Sequence, residues 1–162
     1  MAVASDGVLA EIEALYAARF GHFLRVARAV VGDRERALEA VQDGFADVIR
    51  GRNGFRRDGP LEAWVWRSVL NAAHKAARLP LVEASFGVEG TLEASASGHE
   101  LAPLVAALPE RQRLVVFLRY YADLAYRAIA PALEVEVGTV SATLAAAHAA
   151  IRKSIEEVQS NG

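Results

Sequence analysis

The chain has 162 residues, enough for one ordinary domain or two small ones, and 53% of them are apolar, which argues against an intrinsically disordered chain. It contains no cysteine, so disulfides, thiolate metal sites and cysteine nucleophiles are excluded. Net charge is −2 but uneven: residues 1–78 carry 12 basic and 10 acidic side chains, residues 79–100 carry four glutamates and no Lys or Arg, and residues 101–162 balance at six and six.

The start of the chain lacks a basic stretch followed by an apolar run, so no secretory signal is expected. No segment approaches the roughly 20 apolar residues of a membrane span. A cytoplasmic protein without membrane association is the expectation.

Leu9, Ile12, Tyr16, Phe20, Phe23, Ala27 and Val30 recur at three-and-four spacing, one stripe of an amphipathic helix. Ser5 or Asp6 is the expected cap at its start, and Gly32 ends it. A second helix is expected over 34–50, capped by Asp33, with Leu38, Val41, Phe45 and Val48 inward. A Gly- and Arg-rich loop, 51–59, follows. Pro60 then opens a third helix to about Arg78, with Leu61, Trp64, Val65, Val69 and Ala72 inward. Trp64 and Trp66 are two apart and point to different helix faces; Trp64 is expected in the core, and Trp66 is expected as the exposed ring or as a cover on a neighbouring helix.

Residues 79–100 lack helical periodicity and read as a flexible linker. Beyond it, Pro109 opens a helix through Tyr121, with Leu114, Phe117, Leu118 and Tyr121 inward. A short helix holds Tyr126, Ile129, Ala130 and Leu133. After a turn at Glu134–Glu136, a last helix presents Val137, Val140, Leu144, Ala147, Ile151 and Ile155. No strand-like alternation competes. The fold class is therefore all-α: a domain at 1–78, a linker at 79–100, and a domain at 101–162 that ends in a helix-turn-helix. In such a unit the second helix enters the major groove and its first residues meet the bases. Periodicity alone does not separate it from an ordinary helical hairpin.

Particular residues do more. The run from Ala107 to Ala130 (ALPERQRLVVFLRYYADLAYRAIA) resembles region 4 of the extracytoplasmic-function sigma factors, and Val137-Gly-Thr-Val140 resembles the start of that family's recognition helix. The first half resembles region 2 of the same family at Val31-Gly-Asp-Arg34, at Val41-Gln-Asp43, and from Phe55 to Trp64 (FRRDGPLEAW) followed by Asn71. The two motif sets stand in the family's order and together span nearly the whole chain except the linker and the ends.

The resemblance implies a transcription initiation factor that binds core RNA polymerase and the −10 and −35 elements of promoter DNA. It implies an anti-sigma factor as a further partner, and no cofactor, metal or small-molecule substrate. By position, Glu39, Gln42 and Asp43 would dock on polymerase; the plainer reading is a solvated helix face. Arg56, Arg57, Arg67, Asn71, Lys75 and Arg78 would meet the melted −10 strand, where cations track the backbone and flat groups meet bases. Arg127, Thr139, Ser141 and Thr143 would serve the second domain, since hydroxyls bond phosphates or base edges. For the hydroxyls the plainer reading is helix capping and surface chemistry.

The sequence departs from the family at telling places. Where the family commonly has Lys, then Arg, then further basic residues, the last helix has Ser141, Thr143, Ala145, Ala146 and His148. Glu134 stands where the turn usually carries Gly, a left-handed position that costs a side chain about 1 kcal/mol. Glu136 replaces Ser or Thr, and Lys75 stands where region 2 usually has Asp. The depleted recognition helix favours a second reading, a degenerate sigma-like interaction module that binds polymerase or an anti-sigma factor without efficient promoter binding, whereas the retained Arg-rich loop and Asn71 favour the first. His22, His74, His99 and His148 share no metal-ligand spacing, and no phosphate-cradling Gly loop or Ser-His-Asp order is present, so an enzyme is not expected.

Overall fold

The computed structural model describes the backbone of residues 2–78 and 98–162, and the side chains of 6–78 and 101–162. Among these residues the regular elements are all helical. The linker expected at 79–100 lies outside the described residues except for Gly98–Glu100, which already belong to a helix.

Helix α1 spans Ala2–Val31. It begins before Ser5 and Asp6, so neither caps it as expected; both lie within its opening turns. The core-facing side buries Val8, Ile12, Phe23, Val26 and Ala27. Gly32 ends the helix at φ +83°, its N–H donating to Arg28 O at 2.7 Å, a left-handed cap that glycine adopts without strain. Asp33 then caps α2 (Arg34–Gly51), its carboxylate accepting from the N–H groups of Glu35 and Arg36 at 3.2 and 3.4 Å. Helix α2 buries Ala37, Ala40, Val41, Phe45 and Val48, while Leu38 is only half-buried.

Helix α3 (Leu61–Arg78) corrects the sequence reading. Its inward face is Ala63, Val65, Trp66, Val69, Leu70 and Ala73, with Leu61, Trp64 and Ala72 half-buried. Trp64 is not the core ring, and of the two placements open to Trp66 the structure shows the one against a neighbouring helix. Trp66 is 0% exposed and lies on Phe23, while Trp64 is half-buried and stacks on Phe55 with centroids 5.1 Å apart. The reason is that α3 packs against both α1 and α2, and a helix with two neighbours buries a wider arc than one stripe. At the α2–α3 crossing Gly44 meets Val69 so closely that a Cβ there would stand 2.7 Å from the Val69 Cα. Ser68 Oγ donates to Gly44 O at 2.9 Å across the same crossing.

In the second half, α4 covers Gly98–Ala106 and α5 covers Glu110–Val116. The helix expected to run unbroken to Tyr121 widens into a π-helical turn at Phe117–Tyr121. Leu114 through Leu118 are all buried, too many in succession for one α-helical face. The wide turn changes the register so that Phe117 and Leu118 still point inward; Ala122 N–H donates to Phe117 O at 3.1 Å and Leu124 N–H to Leu118 O at 3.0 Å. Helices α6 (Tyr126–Leu133) and α7 (Val137–Ser160) follow. Helix α7 buries Val140, Leu144 and Ala147, whereas Tyr126 and Val137, expected inward, are exposed at 36% and 45%.

The two halves pack on each other, α3 against α6 and α1 against the π-helical turn. Their buried apolar residues form one connected cluster.

Candidate polymerase and nucleic-acid interface

Glu39, Gln42 and Asp43 are all exposed on the outer side of α2, opposite the buried Ala37, Val41 and Phe45. They are three and four residues apart, so they form a single polar patch.

The loop after α2 is held from within. Arg52 Nη1 donates to Ile49 O at 2.6 Å, and a short 3-10 turn (Arg52–Gly54) leads to Phe55. Arg56 and Arg57 are exposed. Arg57 adopts φ +58°, pairs with Glu11 at 2.7 Å and stands 6.0 Å from the Phe55 ring centre. The hydrogen bond and charge of Glu11 raise the already high pKa of its guanidinium.

On α3, Arg67, Asn71, His74 and Arg78 follow at spacings of four, three and four, a single stripe along the helix, with Lys75 at its edge. Asn71, Lys75 and Arg78 are exposed. Arg67 is not free: its Nη2 donates to Pro131 O at 2.7 Å, and its Nε lies 3.6 Å from Glu134 Oε1. His74 Nε2 stands 2.9 Å from Glu110 Oε1. A cleft of about 320 Å³ beside this pair is lined by Arg78 and Arg113 among others. The α3 stripe assigned to DNA is thus also part of the contact between the halves. Arg19 makes a further link, its Nη2 donating to Ala122 O while its Nε pairs with Glu62 at 2.9 Å. Periodicity did not reveal these links, because they depend on which faces meet.

Helices α6 and α7 are bent by 100° at their junction. That lies within the range of helix-turn-helix units. Glu134 closes α6 at φ 58°, ψ 43°, the left-handed conformation anticipated for this position, and the N–H of Val135 donates to Ala130 O at 2.9 Å. Glu136 precedes α7 with extended backbone, and its side chain makes no cap hydrogen bond. Thr139, Ser141 and Arg127 are exposed; Thr143 is half-buried and is the least available of the four. The first two turns of α7 hold no Lys or Arg; Arg152 and Lys153 come only near its far end.

Around the π-helical turn, Arg119 stands 5.9 and 6.0 Å from the ring centres of Tyr120 and Tyr126, and Tyr120 OH is 2.8 Å from His148 Nε2. Burial and the neighbouring Arg19 and Arg25 lower the pKa of His22. Among the described residues no group of three or more His, Asp or Glu is placed to hold a metal ion; His99 lies outside the described side chains. Among the described residues no single helix is long and apolar enough to cross a membrane; the bent α6–α7 pair meets the length and composition test only jointly.

Comparison with known proteins completes the picture. The family model for Sigma-70 region 2 matches residues 15–79, and that for Sigma-70, region 4 matches residues 99–151. The chain is 28% identical over 161 residues to the RNA polymerase sigma-E factor of Streptomyces avermitilis, covering 94% of this chain and 89% of that one. It is 27% identical over 151 residues to the RNA polymerase sigma-H factor of Pseudomonas aeruginosa, covering 78% and 76% respectively. In fold it is similar to CnrH, solved in complex with the cytosolic domain of CnrY, with a TM-score of 0.72, 21% identity, and 96% and 94% of the two chains covered.

Proposed function

We propose, from the premise that this chain belongs to the sigma-70 family and carries its regions 2 and 4, that Glu39, Gln42 and Asp43 anchor it to core RNA polymerase while α3 and α7 read the promoter. Supporting this reading is the placement of Arg56, Arg57, Asn71, Lys75 and Arg78 as exposed polar groups on one loop and the helix after it. Cations there neutralise phosphates, and the amide of Asn71 suits a base edge. Arg127, Thr139 and Ser141 take the duplex element at the helix-turn-helix, with Thr143 in a lesser role.

The domain division follows the same reading: region 2 to residue 78, region 4 from 101, and a linker between. The protein acts where polymerase and chromosome meet, in the cytoplasm, as a binding subunit rather than an enzyme. An anti-sigma factor is the proposed regulatory partner; CnrH, similar in fold, was solved with a protein partner bound. The deciding experiment is a pull-down with core polymerase followed by run-off transcription from a promoter library. Core binding with initiation at a subset of promoters is the expected result; core binding with no initiation favours the second reading. That reading, a sigma-like interaction module without efficient promoter binding, is favoured by the cation-free start of α7 and the exposed Glu134 and Glu136 beside it.

A further inference from the structure

We propose that His148, held by Tyr120, is a proton-gated phosphate contact of α7: the imidazole adds a cation to the DNA-facing side of this helix only when protonated, so the grip of the second half on duplex DNA tightens as pH falls. The inference rests on the reading that Thr139 and Ser141 face duplex DNA.

The position follows from helix geometry. Ser141, Ala145, His148 and Arg152 recur at spacings of four, three and four and are all exposed, one stripe along the outer side of α7. Val140, Leu144 and Ala147 form its buried side. Ser141 and His148 are separated by two turns, roughly 10 Å along the axis at about 1.5 Å per residue. The major groove is about 12 Å wide. A helix whose first turns meet base edges on the groove floor therefore brings the same stripe to the phosphates of the groove wall about two turns later, where His148 stands.

The surroundings of the ring suit this task. Tyr120, within the π-helical turn and 55% exposed, places its hydroxyl 2.8 Å from His148 Nε2, with ring centroids 5.9 Å apart. A neutral imidazole has one donor and one acceptor nitrogen, the protonated ring donates from both, and a phenolic hydroxyl serves either state. Tyr120 thus holds the ring in one place through its titration and leaves Nδ1 to donate to a phosphate oxygen. Behind Tyr120, Arg119 stands 5.9 Å from its ring centre, pairs with Asp123 at 3.7 Å and lies 6.0 Å from the ring centre of Tyr126 on α6, which Arg127 follows. On α7 itself Arg152 and Lys153 come one turn later. Glu110, Arg111 and Arg113 of α5 line clefts beside α3 and α6, and residues 101–106 of α4 carry no charge. Imidazole is the side chain that gains its charge between about pH 8 and pH 5. Proton uptake at His148 raises the stripe from one cation, Arg152, to two. The added contact is present below that range and is lost as pH rises through it.

The test is fluorescence anisotropy with the full chain and a labelled random-sequence duplex of about 30 base pairs, roughly three helical turns. Titrations run at about pH 8 and about pH 5.5, either side of the ordinary imidazole range, and across salt concentrations. His148→Gln keeps a polar side chain that does not titrate, and it retains His22, His74, His99 and every carboxylate. On acidification the unmodified protein should gain about three- to eightfold more affinity than His148→Gln at about 0.1 M salt, and its slope of log K against log salt should steepen by about 0.9 more, one further phosphate contact. His148→Lys should bind at the higher pH as tightly as the unmodified protein does at the lower. Tyr120→Phe should reduce the gain, because the ring is no longer held. Far-ultraviolet circular dichroism at both pH values checks that each variant is folded. An acid response in His148→Gln equal to that of the unmodified protein overturns the proton gate; if His148→Lys still tightens binding, the assignment of α7 to DNA survives that failure. His148→Lys without tighter binding overturns the contact and places the failure in that assignment. A full gain in Tyr120→Phe overturns the part given to Tyr120.

Discussion

Trp66 lies flat on Phe23, ring centroids 4.1 Å apart and planes 28° from parallel, and both rings are 0% exposed. Phe45 meets Phe23 edge-on at 5.1 Å, so α1, α2 and α3 each contribute one ring to the centre of the first half. The indole N–H of Trp66 reaches Glu62 at 3.4 Å, which in turn pairs with Arg19 on α1. Replacing Trp66 by Ala should cost about 3–5 kcal/mol, the usual range for deleting a buried aromatic. Trp64→Ala, at a half-buried ring on the margin of the core, should cost less. Urea unfolding followed by circular dichroism ranks the two; equal costs would contradict this packing.

Gly44 and Gly21 should respond to alanine with opposite sign. A Cβ at Gly44 would meet the Cα, N and Cγ2 of Val69 at 2.7–2.9 Å, and backbone atoms have nowhere to go. Gly44→Ala should destabilise by about 1–3 kcal/mol as α2 and α3 are forced apart. At Gly21, mid-way along α1, nothing stands within 4 Å of the added atom. Gly21→Ala should stabilise by roughly 0.5–1 kcal/mol through the chain entropy that glycine loses in a helix. The same denaturation assay reads both.

The polymerase assignment predicts a loss of binding without a loss of fold. Glu39→Lys with Asp43→Lys reverses two exposed charges on α2 and touches none of its buried face. Retention on immobilised core polymerase should fall several-fold while the far-ultraviolet circular dichroism spectrum stays unchanged. Full retention would mean that polymerase uses another surface.

Duplex DNA binding should be weak and shallow in salt, because the first two turns of α7 hold no cation. Each phosphate contact contributes about −0.9 to the slope of log K against log salt. Adding cations at exposed positions, Ser141→Lys with Ala145→Arg and Ala146→Arg, should tighten binding and steepen that slope by up to roughly three such contacts. Thr143 is left alone because it is half-buried and a long charged side chain there would disturb the packing of α7. Steep salt dependence in the unmodified protein would place the contacts on Arg111, Arg113, Arg119 and Arg127 instead.

The helix boundaries were legible where local chemistry dictates them. Asp33 caps α2, Gly32 takes a positive φ, and Glu134 occupies the left-handed turn, all as read from residue type and spacing. The errors arise where neighbours decide. Trp66 looked exposed because it falls off the stripe of Leu61, Trp64 and Val65, but α3 has helices on two sides. Tyr126 and Val137 looked buried because they continue a stripe, but each stands at a helix start, where the partner surface ends. The polar links of Arg67, His74 and Arg19 were invisible for the same reason: a charge pattern along one helix does not say which second helix will face it.

The strained conformation of Glu134 also has a genetic consequence. Both glutamate codons, GAA and GAG, become glycine codons by one A-to-G transition, and glycine is the residue the turn accommodates without strain. A turn free of that strain therefore stands a single nucleotide away. That change should make the folded protein sturdier, by about 1 kcal/mol.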